Sequence, residues 1–296
     1  MSLLVTGGTG QVGSALGALG ARVVGRPAFD FDRPESIQAV FAAAAPTLVV
    51  NAAAYTAVDA AETDEAAAFR ANRDGPAALA RLCEGAGIPL IHLSTDYVFD
   101  GSKGAPYVET DPVAPLGVYG RSKLAGEQAV LEACPRAIIL RTSWVYAATG
   151  KNFVRTMLGA ARTNSRLRVV ADQQGCPTAA ADLAAAILAI ATRIGREGWR
   201  NEFGGVFHAA GAGATTWHGF AAAIFADAAR YGQTPPTIEA ITTADWPTPV
   251  RRPADSRLNC DKLEQAVGLR LPPWQASLAR VVDQIFAKSG PATPGK

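Results

Sequence analysis

A tyrosine and a lysine stand four residues apart in VYGRSKLAGEQAVLEAC, a stretch with helical periodicity. Positions i and i+4 share a helix face, so the Tyr119 phenol and the Lys123 ammonium are expected to converge. A phenol with a pKa of about 10 is a poor acid–base catalyst at neutral pH. A nearby cation favours the phenolate and lowers that value. A carbonyl that receives a hydride also needs a proton, and Tyr119 has one to give. Thr95 closes the apolar run PLIHLST and can donate a second hydrogen bond to the same oxygen. About two dozen residues rich in Gly, Pro and Asp separate Thr95 from Tyr119. Loops of that length in compact domains are functional or disordered, and this one is expected to line a substrate site.

The second cluster with chemical meaning is GGTGQVG near the N-terminus. Gly8, Gly10 and Gly13 fit GxGxxG, and Gly7, Gly10 and Gly13 fit GxxGxxG. The loop follows a short apolar run and opens a helix, as a dinucleotide fingerprint requires. Glycines let the backbone approach a pyrophosphate, and the helix N-terminus offers unpaired N–H groups. Such sites often end the second strand with an acid that binds ribose hydroxyls. Here RVVG leads into Arg26. An arginine suits a 2′-phosphate by charge and by bidentate geometry, which favours NADPH over NADH. The alternative is a solvated Arg26, with Asp30 or Asp32 on the ribose. Asp30 and Phe31 are also placed to flank an adenine.

Positioning these residues takes a regular scaffold. Short, β-branched, non-alternating runs recur in the first half: SLLVT, RVVG, TLVVN, PLIHLS and AIILRT. Runs of this kind are strands buried on both faces. Alanine-rich helical segments separate them, one beginning RPESIQAVF with Asp32 ahead as N-cap. The alternation predicts an α/β fold with a doubly wound, Rossmann-type parallel sheet. Residues 1–149 read as the dinucleotide-binding domain, with segments near 179–210 joining it. Residues 150–178 and 211–288 read as a smaller, partly interleaved α/β substrate lobe. The tail 289–296 reads as disordered.

The 296 residues are enough for one large domain or two coupled lobes. A net charge of +2, with basic residues scattered, points away from nucleic acid and membrane surfaces as partners. The longest apolar run, 183–192, is too short to span a bilayer. Four cysteines without a CxxC pair read as reduced thiols, and no signal peptide is visible. A cytoplasmic location is the expectation. The three histidines, His92, His208 and His218, lie outside every motif and read as structural.

Several stretches are narrower than the superfamily pattern: TGQVG, VNAAAYTAVDAAE, STDYVFDG, VYGRSKLAGE, RTSWVY, NFVRTML, DQQGCPT and PTPVRRPADSRL. Over about 3–286 they resemble the dTDP-4-dehydrorhamnose reductase family of the extended short-chain dehydrogenases/reductases. The resemblance implies reduction of the 4-keto group of dTDP-4-dehydro-L-rhamnose by NADPH or NADH. It casts Tyr119 as proton donor, Lys123 as the residue that orients the nicotinamide ribose and tunes Tyr119, and Thr95 as the ketone's polarising donor. Gly10, Gln11 and Val12 would contact the pyrophosphate, and Ala54, Tyr55 and Thr56 would lie along the cofactor. Asp96 and Trp144 would touch the sugar nucleotide. Arg251, Arg252 and Arg257 are candidates for its diphosphate. Some relatives bind Mg²⁺ at a dimer interface through a glutamate on the first helix. Ala15 stands there in this chain, so no metal ligand is assigned, and the expected state is a monomer or a homodimer. The alternatives are another nucleotide-sugar reductase or epimerase, or a non-catalytic regulatory subunit resembling that of methionine adenosyltransferase.

Overall fold

The computed structural model describes residues 2–287, and the tail 289–296 lies outside them. The first half alternates as β1 (Leu3–Thr6), α1 (Gln11–Ala18), β2 (Arg22–Val24), α2 (Pro34–Ala44), β3 (Leu48–Asn51), α3 (Val58–Ala61), α4 (Glu65–Phe69), α5 (Gly75–Gly85), β4 (Leu90–Thr95), α6 (Val118–Ala133) and β5 (Ala137–Thr142). The second half runs β6 (Val145–Tyr146), α7 (Phe153–Ala160), β7 (Arg166–Val170), β8 (Gln174–Gly175), β9 (Thr178–Ala179), α8 (Ala180–Glu197) and β10 (Gly205–His208). It closes with β11 (Thr215–Thr216), α9 (Trp217–Ala229), β12 (Thr237–Ile241), α10 (Asp261–Val267) and α11 (Trp274–Ala287).

Six strands form one parallel sheet in the order β10-β5-β4-β3-β1-β2. Alternate strand residues feed opposite layers, as the pleat requires. Leu3 and Val5 pack with Leu16 of α1 and Ile187 of α8, whereas Leu4 packs with Ile37 of α2 and Leu79 of α5. Each such side chain contributes about 1.5–3 kcal/mol when fully buried. Both faces are thus covered, which is why the strands read as continuous apolar runs.

The chain leaves β1 for β2 on one side and then crosses to β3 on the other. The sheet order therefore reverses beside β1, and ligands bind at such switch points, beyond the carboxyl ends of the strands. The pairing aligns polar residues along that edge: Thr6 lies opposite Asn51, Asn51 opposite His92, and Thr95 opposite Thr142.

Three two-stranded pairings, β11-β8, β12-β7 and β6-β9, lie outside the main sheet. With α7, α9 and α11 they enclose a separate core around Tyr146, Phe220 and Trp274. The strand β10 pairs with β5, and α8 packs in the core of the main sheet. Leu263 and Val267 of α10 also belong to that core. One local expectation changes. The residue that caps α2 is Arg33, whose side chain makes no capping bond, and Asp32 instead accepts from Arg70 Nε at 3.0 Å.

Candidate active site

The loop after β1 is shaped by close backbone contacts. Gly7 has φ +77°, and a Cβ there would lie 2.6 Å from the Ala52 carbonyl carbon. A Cβ on Gly13 would lie 2.1 Å from Gly7 O, so α1 seats directly on the loop. Gly10 caps α1 with extended backbone, and the first turn carries no acidic side chain and no side-chain cap. Its N–H groups are left for an anion. This cradle fits a dinucleotide pyrophosphate, with Gly7, Gly10, Gln11 and Val12 among the residues that line it. Gly13 lies buried behind them.

One cleft of about 820 Å³ runs from this loop to the carboxyl ends of β4 and β5. Its lining includes Arg26, Asp30 and Phe31 at one end and Ala54, Tyr55 and Thr56 beside β3. Thr95, Asp96, Tyr119, Lys123 and Trp144 line it further on. Arg26 is largely exposed and pairs loosely with Asp30, at 3.6 Å. Phe31 packs against Gly75, where a Cβ would meet its ring at 2.3 Å.

The Tyr119 phenol faces the Thr95 side chain, which favours its ionisation, and both line the cleft. Thr95 Oγ1 accepts from Tyr97 N at 3.1 Å and donates to Asp96 Oδ1 at 3.0 Å. The ammonium of Lys123 donates to Leu93 O at 2.6 Å. It was expected to pull the phenol down, but the opposite holds. Burial pushes Tyr119 up to about 12, against the opposing influence of Thr95. Burial pulls Lys123 down to about 8, with Glu127 opposing. Asp96, buried beside them, is raised to about 7, because desolvation outweighs its hydrogen bonds. At neutral pH the tyrosine is therefore a protonated donor and the lysine is mostly charged.

Beneath these groups lies a polar layer that motif reading missed. Asn51 Oδ1 accepts from Thr6 Oγ1 at 2.6 Å and from Ala53 N at 3.1 Å, which fixes the amide's orientation. Its Nδ2 then donates to His92 Nδ1 at 2.8 Å. Burial, with Lys123 nearby, holds His92 well below its usual range, so it stays neutral. Asn72 is fully buried in a π-helical turn, Arg70–Asp74, between α4 and α5. It accepts from Tyr55 N at 2.8 Å and donates to Tyr55 O at 3.0 Å and Ser122 Oγ at 2.9 Å. The cleft-lining loop at Tyr55 is thereby tied to the helix that carries Tyr119 and Lys123. Glu127, one turn beyond Lys123, binds Arg141 through both oxygens, at 2.9 and 2.6 Å. The signal for Asn72 was a polar residue amid alanines; for Glu127 it was the i+4 spacing from Lys123.

The three arginines expected near a diphosphate are paired or exposed, and Arg252 lies over the ring of the cleft-lining Tyr97, 5.9 Å from its centroid. Arg251 is exposed, Arg252 pairs with Asp59 at 2.6 Å, and Arg257 pairs with Asp255 at 2.6 Å. None is among the residues lining the cleft; Lys151 is. The long loop also differs from expectation. Only its two ends line the cleft. Its middle is ordered, with Phe99 and Tyr107 stacked at 4.1 Å and buried against Leu258 and Cys260. Among the described residues no group of three or more His, Cys, Asp or Glu is placed to hold a metal ion, and no helix is long and apolar enough to cross a membrane.

A parallel sheet with a glycine cradle at its switch point, and a cleft that brings Thr95 at the end of β4 together with Tyr119 and Lys123 of α6, places the chain among the Rossmann-type extended short-chain dehydrogenases/reductases. Within that class the family model described as the RmlD substrate binding domain matches residues 1–286, and the chain belongs to that family. It is 48% identical to a dTDP-4-dehydrorhamnose reductase of Sinorhizobium fredii, over 95% of this chain and 97% of the relative. It is 40% identical to the enzyme of that name in Escherichia coli K12, over 97% and 98%. A solved dTDP-4-dehydrorhamnose reductase from Bacillus anthracis, in complex with NADP, superposes with a TM-score of 0.86 at 31% identity, covering 95% of this chain and 98% of that one.

Proposed function

We propose that this protein reduces the 4-keto group of dTDP-4-dehydro-L-rhamnose with NADPH, giving dTDP-L-rhamnose. The observation that carries the proposal is the convergence of Thr95, Tyr119 and Lys123 in the cleft that continues to the glycine cradle. The relatives' shared name supports the substrate, and the NADP complex of the Bacillus anthracis protein supports the cofactor.

The backbone N–H groups at the start of α1 would hold the cofactor's pyrophosphate, and Arg26 would hold its 2′-phosphate. When bound, NADPH supplies the hydride. Tyr119 gives its proton to the ketone oxygen, so ketone, hydride and proton sum to the alcohol. A hydroxyl has one proton, so Thr95 releases Asp96 Oδ1 when it donates to that oxygen. Lys123 supplies positive charge beside the phenolate that forms. Asp96 and Trp144 bind the sugar. Solution in the cytoplasm, as monomer or homodimer, belongs to the same proposal.

NADPH oxidation with enzymatically made dTDP-4-dehydro-L-rhamnose tests it, with Tyr119→Phe as the control. Only the transferable proton disappears in that variant. It should bind NADPH normally and lose about 10²–10⁴-fold in kcat. Turnover near the wild-type rate would overturn the assignment of Tyr119.

A further inference from the structure

Trp144 stands just after β5 with φ +47°, a left-handed conformation that a bulky residue rarely adopts. Its indole stacks on that of Trp217, with ring centroids 3.4 Å apart and planes 6° from parallel. Trp217 opens α9 in the second lobe, and both rings line the cleft. Gly175 of β8 meets the Trp144 ring elsewhere: a Cβ there would lie 2.4 Å from Cε2. Trp217 is itself held in place. Its Nε1 donates to Gln173 Oε1 at 3.2 Å, and Gln173 Nε2 donates to Thr243 Oγ1 at 3.0 Å. The Phe153 ring leans on it, with centroids 4.6 Å apart. A strained tryptophan supplied by the nucleotide-binding half is thus fixed by a second tryptophan from the other half.

We infer that Trp217 is a positioning residue for the sugar nucleotide, holding the Trp144 indole, together with Gly175, at the angle that meets the sugar. The inference rests on the proposed reductase function. A 6-deoxy sugar presents C–H groups and a methyl, and a flat indole packs against these only if its plane is fixed. An unstacked Trp144 would relax from its left-handed conformation and turn away. Trp217 touches none of the reacting atoms, and the cofactor cradle lies on other elements. Its loss should therefore act on the sugar alone.

The test is steady-state kinetics with both substrates varied, alongside calorimetric titration with dTDP-L-rhamnose as probe. Trp217→Ala should raise the KM for the keto sugar and the Kd of dTDP-L-rhamnose by about three- to tenfold, the worth of one stacked aromatic pair. The KM for NADPH and kcat should change little. Trp217→Phe, which keeps a ring, should restore most of the affinity. Gly175→Ala, acting from the other contact, should raise the same two constants, and these two variants decide the matter if Trp217→Ala folds poorly. Unchanged sugar constants in the variants, or parallel losses for sugar and NADPH, would overturn the inference. A wild type that binds dTDP-L-rhamnose without turning over the keto sugar would sink the reductase function, and the titration would still decide the role of Trp217.

Discussion

At the scale of single residues, burial rather than charge pairing sets the protonation states. The desolvation that keeps Tyr119 protonated also weakens the Lys123 ammonium, which sits at about 8. A lysine lowered by burial is charged below that pH and neutral above it. If the charge beside Tyr119 is needed, kcat/KM for NADPH, which reports the free protein, should fall as pH rises through about 8. A profile flat well beyond that point would remove Lys123's charge from the mechanism. Arg26 belongs to this scale too. It is mostly exposed and already shares its charge with Asp30, so its pairing with a 2′-phosphate is screened. Arg26→Ala should weaken NADPH about tenfold, or about 1.4 kcal/mol, and leave NADH nearly unchanged. Added salt should shrink the difference. Equal NADPH-to-NADH ratios of kcat/KM in both proteins would make Arg26 a bystander.

At the scale of elements, the central strands were legible because burial on both faces leaves unbroken apolar runs such as LVVN and AIILRT. The glycine loop was legible because Gly7 and Gly13 stand where any side chain would strike backbone. The two-residue pairings of the second lobe were not. Gln174–Gly175 and Thr215–Thr216 are two residues each, too short to show a period, and tertiary packing alone makes them strands. The π-helical turn at Arg70–Asp74 was hidden in continuous helical propensity, and with it the role of Asn72. That amide satisfies three groups from two other segments. Asn72→Ala should leave the buried Ser122 hydroxyl and the part-buried Tyr55 backbone groups short of a partner, at about 1–3 kcal/mol for a fully buried group and less for the others, lowering the urea midpoint. It should also raise the KM for NADPH, because the Tyr55 loop lines the cofactor cleft. A stability loss with an unchanged KM would confine Asn72 to a structural role.

At the scale of the whole molecule, the helix α6 is fastened to the sheet in part by a buried ion pair. Glu127 of α6 and Arg141 of β5 are each at most 5% exposed at the side chain and meet through two hydrogen bonds. Ser94 of β4 donates to the same carboxylate. Arg141 also lies over the Phe99 ring, 5.2 Å from its centroid, and Phe99 packs edge-on against His208 of β10. Three strands, the helix bearing Tyr119 and Lys123, and the long loop thus converge on one pair. Buried pairs of this kind add little net stability over apolar replacements, yet losing one partner strands a charge at a cost of about 3–5 kcal/mol. Glu127→Leu and Arg141→Met should each lower unfolding stability by about that much. The double variant should lose less than either single one. Denaturant midpoints for the four proteins measure the coupling. Single variants costing less than about 1 kcal/mol, the range of exposed pairs, would show that water reaches the site and that other contacts hold the helix to the sheet.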